Sequence, residues 1–145
     1  MWIFSGEWSI LDNFAQTPVE LNLGRGKLLY PSTEHAFQAA KARFARDHHK
    51  VRRAQNPASA KYLGRQIPLR DDWEEVKFDV MWSCLCAKWE QHPEFRRVLR
   101  LTGSRLIYEG NTWGDRVWGV TQEGPIWCGR NALGEMLMEL RDEPV

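Results

Sequence analysis

The sequence predicts an α+β fold with a helical majority, and three observations predict it. Short apolar runs broken by turn residues are confined to the first 30 residues and to a stretch beyond position 105. Segments with apolar residues at three- and four-residue spacing fill the region between them and the end of the chain. No regular strand–helix–strand alternation connects these regions. The 145 residues have the size of one compact domain, and 43% hydrophobic with 27% charged residues supplies the apolar material for a single core.

Strands are expected at Met1 to Phe4, Val19 to Leu23 and Lys27 to Tyr30, the last two joined into a hairpin by Gly24-Arg25-Gly26. After Pro31, Ser32 is expected to cap a helix from Thr33 to Arg46, in which Phe37, Ala40, Lys41 and Phe44 recur at helical spacing. Glu34 falls in its first turn, where the helix dipole favours a carboxylate, and shares a face with Phe37 and Lys41. Short helices should follow over Asp47 to Ala54 and Pro57 to Leu63, the second started by Asn56-Pro57 and stopped by Gly64. Asp71 or Asp72 is expected to cap the longest helix, which runs to Gln91 with an inward stripe of Trp73, Val76, Lys77, Val80, Met81, Cys84, Leu85 and Lys88. Pro93 opens another helix through Phe95, Val98, Leu99 and Leu101, closed by Gly103. Leu106 to Tyr108 and Val117 to Val120 read as strands around a loop rich in Gly and Trp. Asn131 is expected to cap a last helix through Leu133, Met136, Leu137 and Leu140.

Twenty Lys and Arg against 19 Asp and Glu leave a formal charge of +1, which argues against binding nucleic acid by bulk charge. The balance is locally uneven. Lys41, Arg43, Arg46, Lys50, Arg52, Arg53, Lys61 and Arg65 face a single acidic residue, Asp47, between positions 41 and 65. Such a segment is either a solvated helical face or a surface for phosphates. Cys84, Cys86 and Cys128 have no CxxC spacing and fit a reducing compartment. The start has no basic segment followed by an apolar run, and no apolar run is long enough to cross a bilayer. The expectation is a soluble cytoplasmic protein with no membrane partner; nothing in charge or periodicity specifies an oligomeric state.

Dinucleotide-fold, P-loop, zincin and serine-hydrolase signatures are absent, and the four histidines have no zinc spacing, so no metal site is expected. Carboxylates, amides and indoles remain. Glu34, on an otherwise apolar helical face, either closes an ion pair with Lys41 or lines a cavity. Asn111-Thr112-Trp113-Gly114-Asp115 with Trp118-Gly119 is either a capped turn with packing indoles or a loop bent around a ligand. Asp12-Asn13-Phe14 is either an Asx turn with an aromatic anchor or part of a site. Two carboxylates, an amide and aromatic walls are what cleavage of a glycosidic bond needs: negative charge beside a ribosyl oxocarbenium ion and a base for water.

Together these stretches resemble the NADAR family, also called YbiA-like. The resemblance is carried by Leu11-Asp12-Asn13-Phe14, by the segment from Tyr30 through Pro31-Ser32-Thr33-Glu34-His35-Ala36-Phe37-Gln38 to Lys41, by Leu63-Gly64-Arg65, Asp72-Trp73 and Ala87-Lys88-Trp89. It continues through Tyr108-Glu109-Gly110-Asn111, Trp113-Gly114-Asp115, Val117-Trp118-Gly119 and Gly129-Arg130-Asn131. It implies one domain over residues 1–145, mostly helical with a small mixed sheet, and cofactor-free, metal-independent hydrolysis of a bond between ribose C1′ and nitrogen. Glu34 matches the family's catalytic glutamate and Asp115 its loop aspartate. Trp73 and Trp118 match pocket aromatics, Asn13, Asn111 and Asn131 polar positions that hold sugar or phosphate, and Lys41, Lys77 and Lys88 basic positions; Phe14 accompanies Asn13. Family members include N-glycosidases of early riboflavin-pathway intermediates and enzymes that remove ADP-ribose from modified guanine. The expected partner is ADP-ribosylated guanine in DNA or RNA; a phosphorylated ribosyl-pyrimidine and a non-catalytic ADP-ribose or nucleic-acid reader are the alternatives. The chain departs from the family pattern at Asp12, at Trp89 and at Gly114-Asp115, where relatives often carry a second acid.

Overall fold

A computed structural model describes residues 6–144, and the chain in it divides into two units, one of residues 13–92 and one of residues 6–12 with 93–144. The expected strand at Met1 to Phe4 lies outside the described residues.

In the unit of residues 13–92, β1 (Val19–Asn22) and β2 (Lys27–Tyr30) form the expected antiparallel hairpin, with Val19 opposite Tyr30 and Asn22 opposite Lys27. Its turn needs glycine: Gly24 and Gly26 sit at φ +90° and +84°, where a side chain is strained. Helix α1 (Thr33–Ala40) starts as expected, with the Ser32 hydroxyl accepting the His35 N–H, but it ends six residues before Arg46. Residues 41–43 turn instead to a distant segment: Arg43 N–H donates to Pro68 O at 3.0 Å and Arg70 N–H to Lys41 O at 2.9 Å, around a bridge between Ala42 and Leu69. Those bonds replace the ones a longer helix would make.

Helices α2 (Ala45–Arg52) and α3 (Pro57–Gly64) follow; Asn56 caps α3 by accepting the Ser59 N–H at 2.8 Å. Gly64 is the last helical residue rather than the stop beyond it, and a Cβ there would collide with the Gln38 side chain of α1. Helix α4 (Trp73–Gln91) has Asp72 at its N-cap, yet the carboxylate makes no capping bond, because Arg70 holds both of its oxygens at 2.6 and 2.9 Å. Of the expected inward stripe, Trp73, Met81, Cys84, Leu85 and Lys88 are buried, whereas Val76, Lys77 and Val80 are half-buried. Ala36 and Ala39 of α1, Val51 of α2, Ala60 of α3 and Cys84 and Ala87 of α4 meet Val19 and Tyr30 in one core. Small residues on the helices let their axes approach.

In the other unit a 3₁₀ helix at Gly6–Leu11, which periodicity did not predict, packs on α5 (Pro93–Leu101). β3 (Gly110–Asn111), β4 (Val120–Glu123) and β5 (Ile126–Cys128) form a mixed sheet, β3 parallel and β5 antiparallel to β4. The strands expected at Leu106 to Tyr108 and Val117 to Val120 are thus displaced. Residues 117–119 are committed elsewhere: their carbonyls accept the N–H groups of Ala132, Leu133 and Asn131 at the start of α6 (Ala132–Arg141). The architecture is α+β and mostly helical, with a small mixed sheet.

Candidate active site

The hairpin delivers the chain to Pro31, and Ser32, extended at φ −153°, opens α1 so that Glu34 occupies its first turn. The Glu34 N–H, which has no acceptor within the helix, donates to the backbone carbonyl of Asn13 at 3.0 Å. Two of the expected site residues, 21 positions apart, are thereby brought together. Glu34 is 7% exposed, and one of its carboxylate oxygens, Oε1, accepts from Gln38 Nε2 at 2.7 Å. The Asn13 side chain is buried as well; its Nδ2 reaches Met81 Sδ at 3.5 Å, and Oδ1 has no hydrogen-bond partner among the described residues. A buried amide with a vacant acceptor is suited to a hydroxyl or water donor.

Aromatic rings and cations complete these surroundings. Lys41 Nζ lies 5.4 Å from the Phe37 ring centroid and 6.0 Å from that of Trp73, and the two rings pack 5.2 Å apart at 56°. Burial pushes the Lys41 ammonium below the ordinary lysine range, the Glu34 charge opposes that shift, and Arg65 and Lys61 reinforce it. Lys61 in turn sits 5.8 Å from the ring of the exposed Phe14. Glu34, Asn13, Phe14, Lys41 and Trp73 therefore form one neighbourhood. Lys77 lies on a flank of α4, paired with Glu74 and set 5.4 Å from the Phe78 ring. Lys88 is fully enclosed on α4. Gln38 was absent from the expected residues; its i, i+4 spacing from Glu34 is the signal that finds it.

The remaining candidates lie in the other unit. Asn111 and Asp115 clasp one another: Asn111 Nδ2 donates to Asp115 O at 2.7 Å and Oδ1 accepts the Asp115 N–H at 2.9 Å. Asp115 Oδ1 then accepts the N–H groups of Val117 and Trp118 at 3.0 and 2.9 Å, which fixes the turn that carries the half-buried Trp118. Gly114, at φ +86°, lets the chain enter this turn. Asn131 does not cap α6 with its side chain. It sits in the left-handed region at φ 56°, and its amide accepts from Glu109 N–H at 2.9 Å and donates to Ile107 O at 2.8 Å. That clasp borders a cavity of about 550 Å³ lined by Tyr108, Trp127, Arg130 and Met138.

Among the described residues no three His, Cys, Asp or Glu side chains converge in a metal-holding group. No helix among them is long and apolar enough to cross a membrane. Two histidines are committed to the fold: His35 bonds Ser32 Oγ and Ala54 O, and His48 bonds the Tyr30 hydroxyl. Cys84 is buried, which pushes its thiol up and keeps it protonated. What the neighbourhood of Glu34 offers chemically is a fixed carboxylate, a desolvated ammonium, an amide and aromatic faces.

The NADAR domain family model matches residues 3–143. N-glycosidase YbiA of Escherichia coli (strain K12) is 38% identical over 141 residues, 96% of this chain and 83% of that protein. Riboflavin biosynthesis protein PYRR, chloroplastic, of Arabidopsis thaliana is 37% identical over 100 residues, 65% of this chain but 16% of that longer protein. The NMR structure of the E. coli protein YbiA superposes with a TM-score of 0.78 at 36% identity, covering 97% of this chain and 82% of that one. Matched along almost its whole length in both sequence and backbone course, the chain belongs to the NADAR family and is similar to its YbiA-like members.

Proposed function

We propose that the chain is an N-glycosidase that hydrolyses the bond between ribose C1′ and a nitrogen, and that it removes ADP-ribose from guanine in nucleic acid. The observation that carries the activity is the buried Glu34 carboxylate, with one oxygen occupied by Gln38 and with Asn13, Lys41 and Trp73 around it. The printed name of the E. coli relative supports the reaction class. In this reading Glu34 takes a proton from water, whose oxygen bonds to C1′ as the C1′–N bond breaks, and the leaving nitrogen is protonated in return. Departure of the base leaves positive charge on the ribose, and Asp115, matched to the family's loop aspartate, is assigned its stabilisation. Trp73 or Trp118 stacks on the base. Asn13, Asn111 and Asn131 bind hydroxyls or phosphate, and Lys41, Lys77 and Lys88, with Phe14 beside Asn13, complete the binding set. No step is assigned to a metal or cofactor.

A preference for nucleic acid is supported by the exposed cations between positions 41 and 65. Arg43 and Arg46 both lie over the ring of the exposed Phe44, at 5.8 and 5.3 Å, an arrangement suited to phosphates beside a base. The match to a riboflavin biosynthesis protein supports a second reading, in which the substrate is a free phosphorylated ribosyl-pyrimidine. Incubation with ADP-ribosyl-guanine oligonucleotides and with riboflavin intermediates, with chelator present and products resolved, separates the readings. Release of base from the oligonucleotide is expected. Glu34→Gln keeps the side-chain shape and removes the base, and turnover should fall at least about 100-fold. Undiminished turnover would remove Glu34 from the reaction, and binding without release would make the chain a reader.

A further inference from the structure

Gln38 lies one helical turn beyond Glu34 and is 4% exposed. Its Nε2 donates to Glu34 Oε1 at 2.7 Å, while the other end of the amide, Oε1, is buried with no hydrogen-bond partner among the described residues. That oxygen lies against Gly64 of α3, where any Cβ would collide with it. Gly64 is helical, so glycine provides room for the amide here and no special backbone angle. A buried acceptor left unsatisfied is costly. Turning the amide over would be worse, because it would set Oε1 against the Glu34 carboxylate and withdraw the donor. The arrangement is coherent with one protonation state of Glu34, since a donated hydrogen bond favours the ionised acid.

We infer that Gln38 is a positioning residue. Wedged by Gly64, it occupies Oε1 of Glu34 and holds the carboxylate ionised in one orientation. This rests on Glu34 acting as the general base. Other groups bear on the same carboxylate. Lys41, just past the end of α1, favours its ionised form, and Lys61 of α3 and Arg65 just beyond that helix act on Lys41. From α4 come the Cys84 thiol, within electrostatic reach, and Lys88 one turn further on. His35, the neighbour in sequence, is held neutral by burial. Because cations assist, loss of the amide should weaken the ionised form without abolishing it.

Gln38→Leu removes the donor at nearly constant volume. The expected result is a kcat lower by about tenfold or more, KM within about twofold, and an acid limb of kcat/KM moved up by about one pH unit. Gly64→Ala crowds the amide while favouring the helix, and it should move the limb in the same direction; it carries the test if the Leu variant fails to fold. Lower activity with an unmoved acid limb would reduce Gln38 to packing and overturn the inference. A ¹³C NMR titration of the Glu34 carboxyl, assigned with Glu34→Gln, reads the same quantity without substrate. Its midpoint should rise in both variants, and an unchanged midpoint overturns the positioning role. If the midpoint rises while the wild-type protein cleaves no N-glycoside, the proposed activity fails and the positioning role stands.

Discussion

His48 shows how much one side chain inside this fold can govern. It is buried, and its Nε2 meets the Tyr30 hydroxyl at 2.7 Å with the rings edge to face. Burial first, then the nearby Arg25 and His49, hold its pKa down at about 4, and burial pushes the Tyr30 phenol up to about 12. Tyr30 therefore keeps its proton and shares a hydrogen bond with a neutral imidazole. A base whose pKa is depressed by folding stabilises the native state above its unfolded value of 6.5, and the contribution is lost as pH falls from there to about 4. At about 1.4 kcal/mol per pH unit this is worth on the order of 3 kcal/mol. Denaturant unfolding of His48→Gln should give a protein weaker at pH 7 whose stability declines less between pH 6.5 and 4.5; parallel declines would show that His48 does not titrate as described. Residues of this kind differ in how far they can be read beforehand. Glu34 was legible because a carboxylate among Phe37, Ala40 and Lys41 on one helical face is conspicuous in the sequence. Asn131 was legible as a helix start but not in its bonding, because its amide partners, Ile107 and Glu109, lie more than 20 residues away.

At the scale of elements, starts were easier to read than ends. Ser32 and Asn56 each place a side-chain oxygen on the N–H three residues on, a local device written in adjacent residues. The end of α1 is decided by Pro68–Arg70, and the loss of strand character at residues 117–119 by the N-terminus of α6; both are tertiary choices that no window of the sequence contains. Asp72 failed as a side-chain cap because Arg70, two residues earlier, takes its carboxylate more strongly than a backbone N–H would. The consequence for function falls on α1, eight residues long and bearing Glu34 in its first turn. Ser32 Oγ accepts the His35 N–H at 3.1 Å and bonds His35 Nδ1 at 2.7 Å, so the cap also fixes a buried ring. Ser32→Ala should cost about 1–2 kcal/mol, lowering Tm by roughly 2–8 °C, whereas Ser32→Gly should recover part of the loss at the cap alone. A thermal melt of the Ala variant that coincides with wild type would mean that the cap does not hold the start of α1.

For the whole molecule, the question left to physics is which substrate class the charge distribution serves. A net charge of +1 describes neither a nucleic-acid binder nor its opposite. The cations matter by location: Arg43, Arg46, Lys50, Arg53 and Arg65 are all exposed, and only Arg43 among them forms a salt bridge among the described residues, with the highly exposed Asp71 at 3.4 Å. An exposed pair of that kind contributes little and gives way readily to a phosphate. If the substrate is a modified oligonucleotide, these five side chains displace condensed counterions. The logarithm of the binding constant should then fall with the logarithm of salt concentration at a slope of about −3 to −4 for a single strand. Charge reversal at Arg46 and Lys50 should flatten that slope by between one and two while leaving cleavage of a small free ribosyl substrate unchanged. A small substrate enclosed near Glu34 meets no such atmosphere, and its kcat/KM should vary little over the same salt range. Measuring both dependences on one preparation decides between the classes: a steep slope that loses its steepness in the double variant supports nucleic acid, and a flat response for every cleaved substrate assigns the chain to free metabolites.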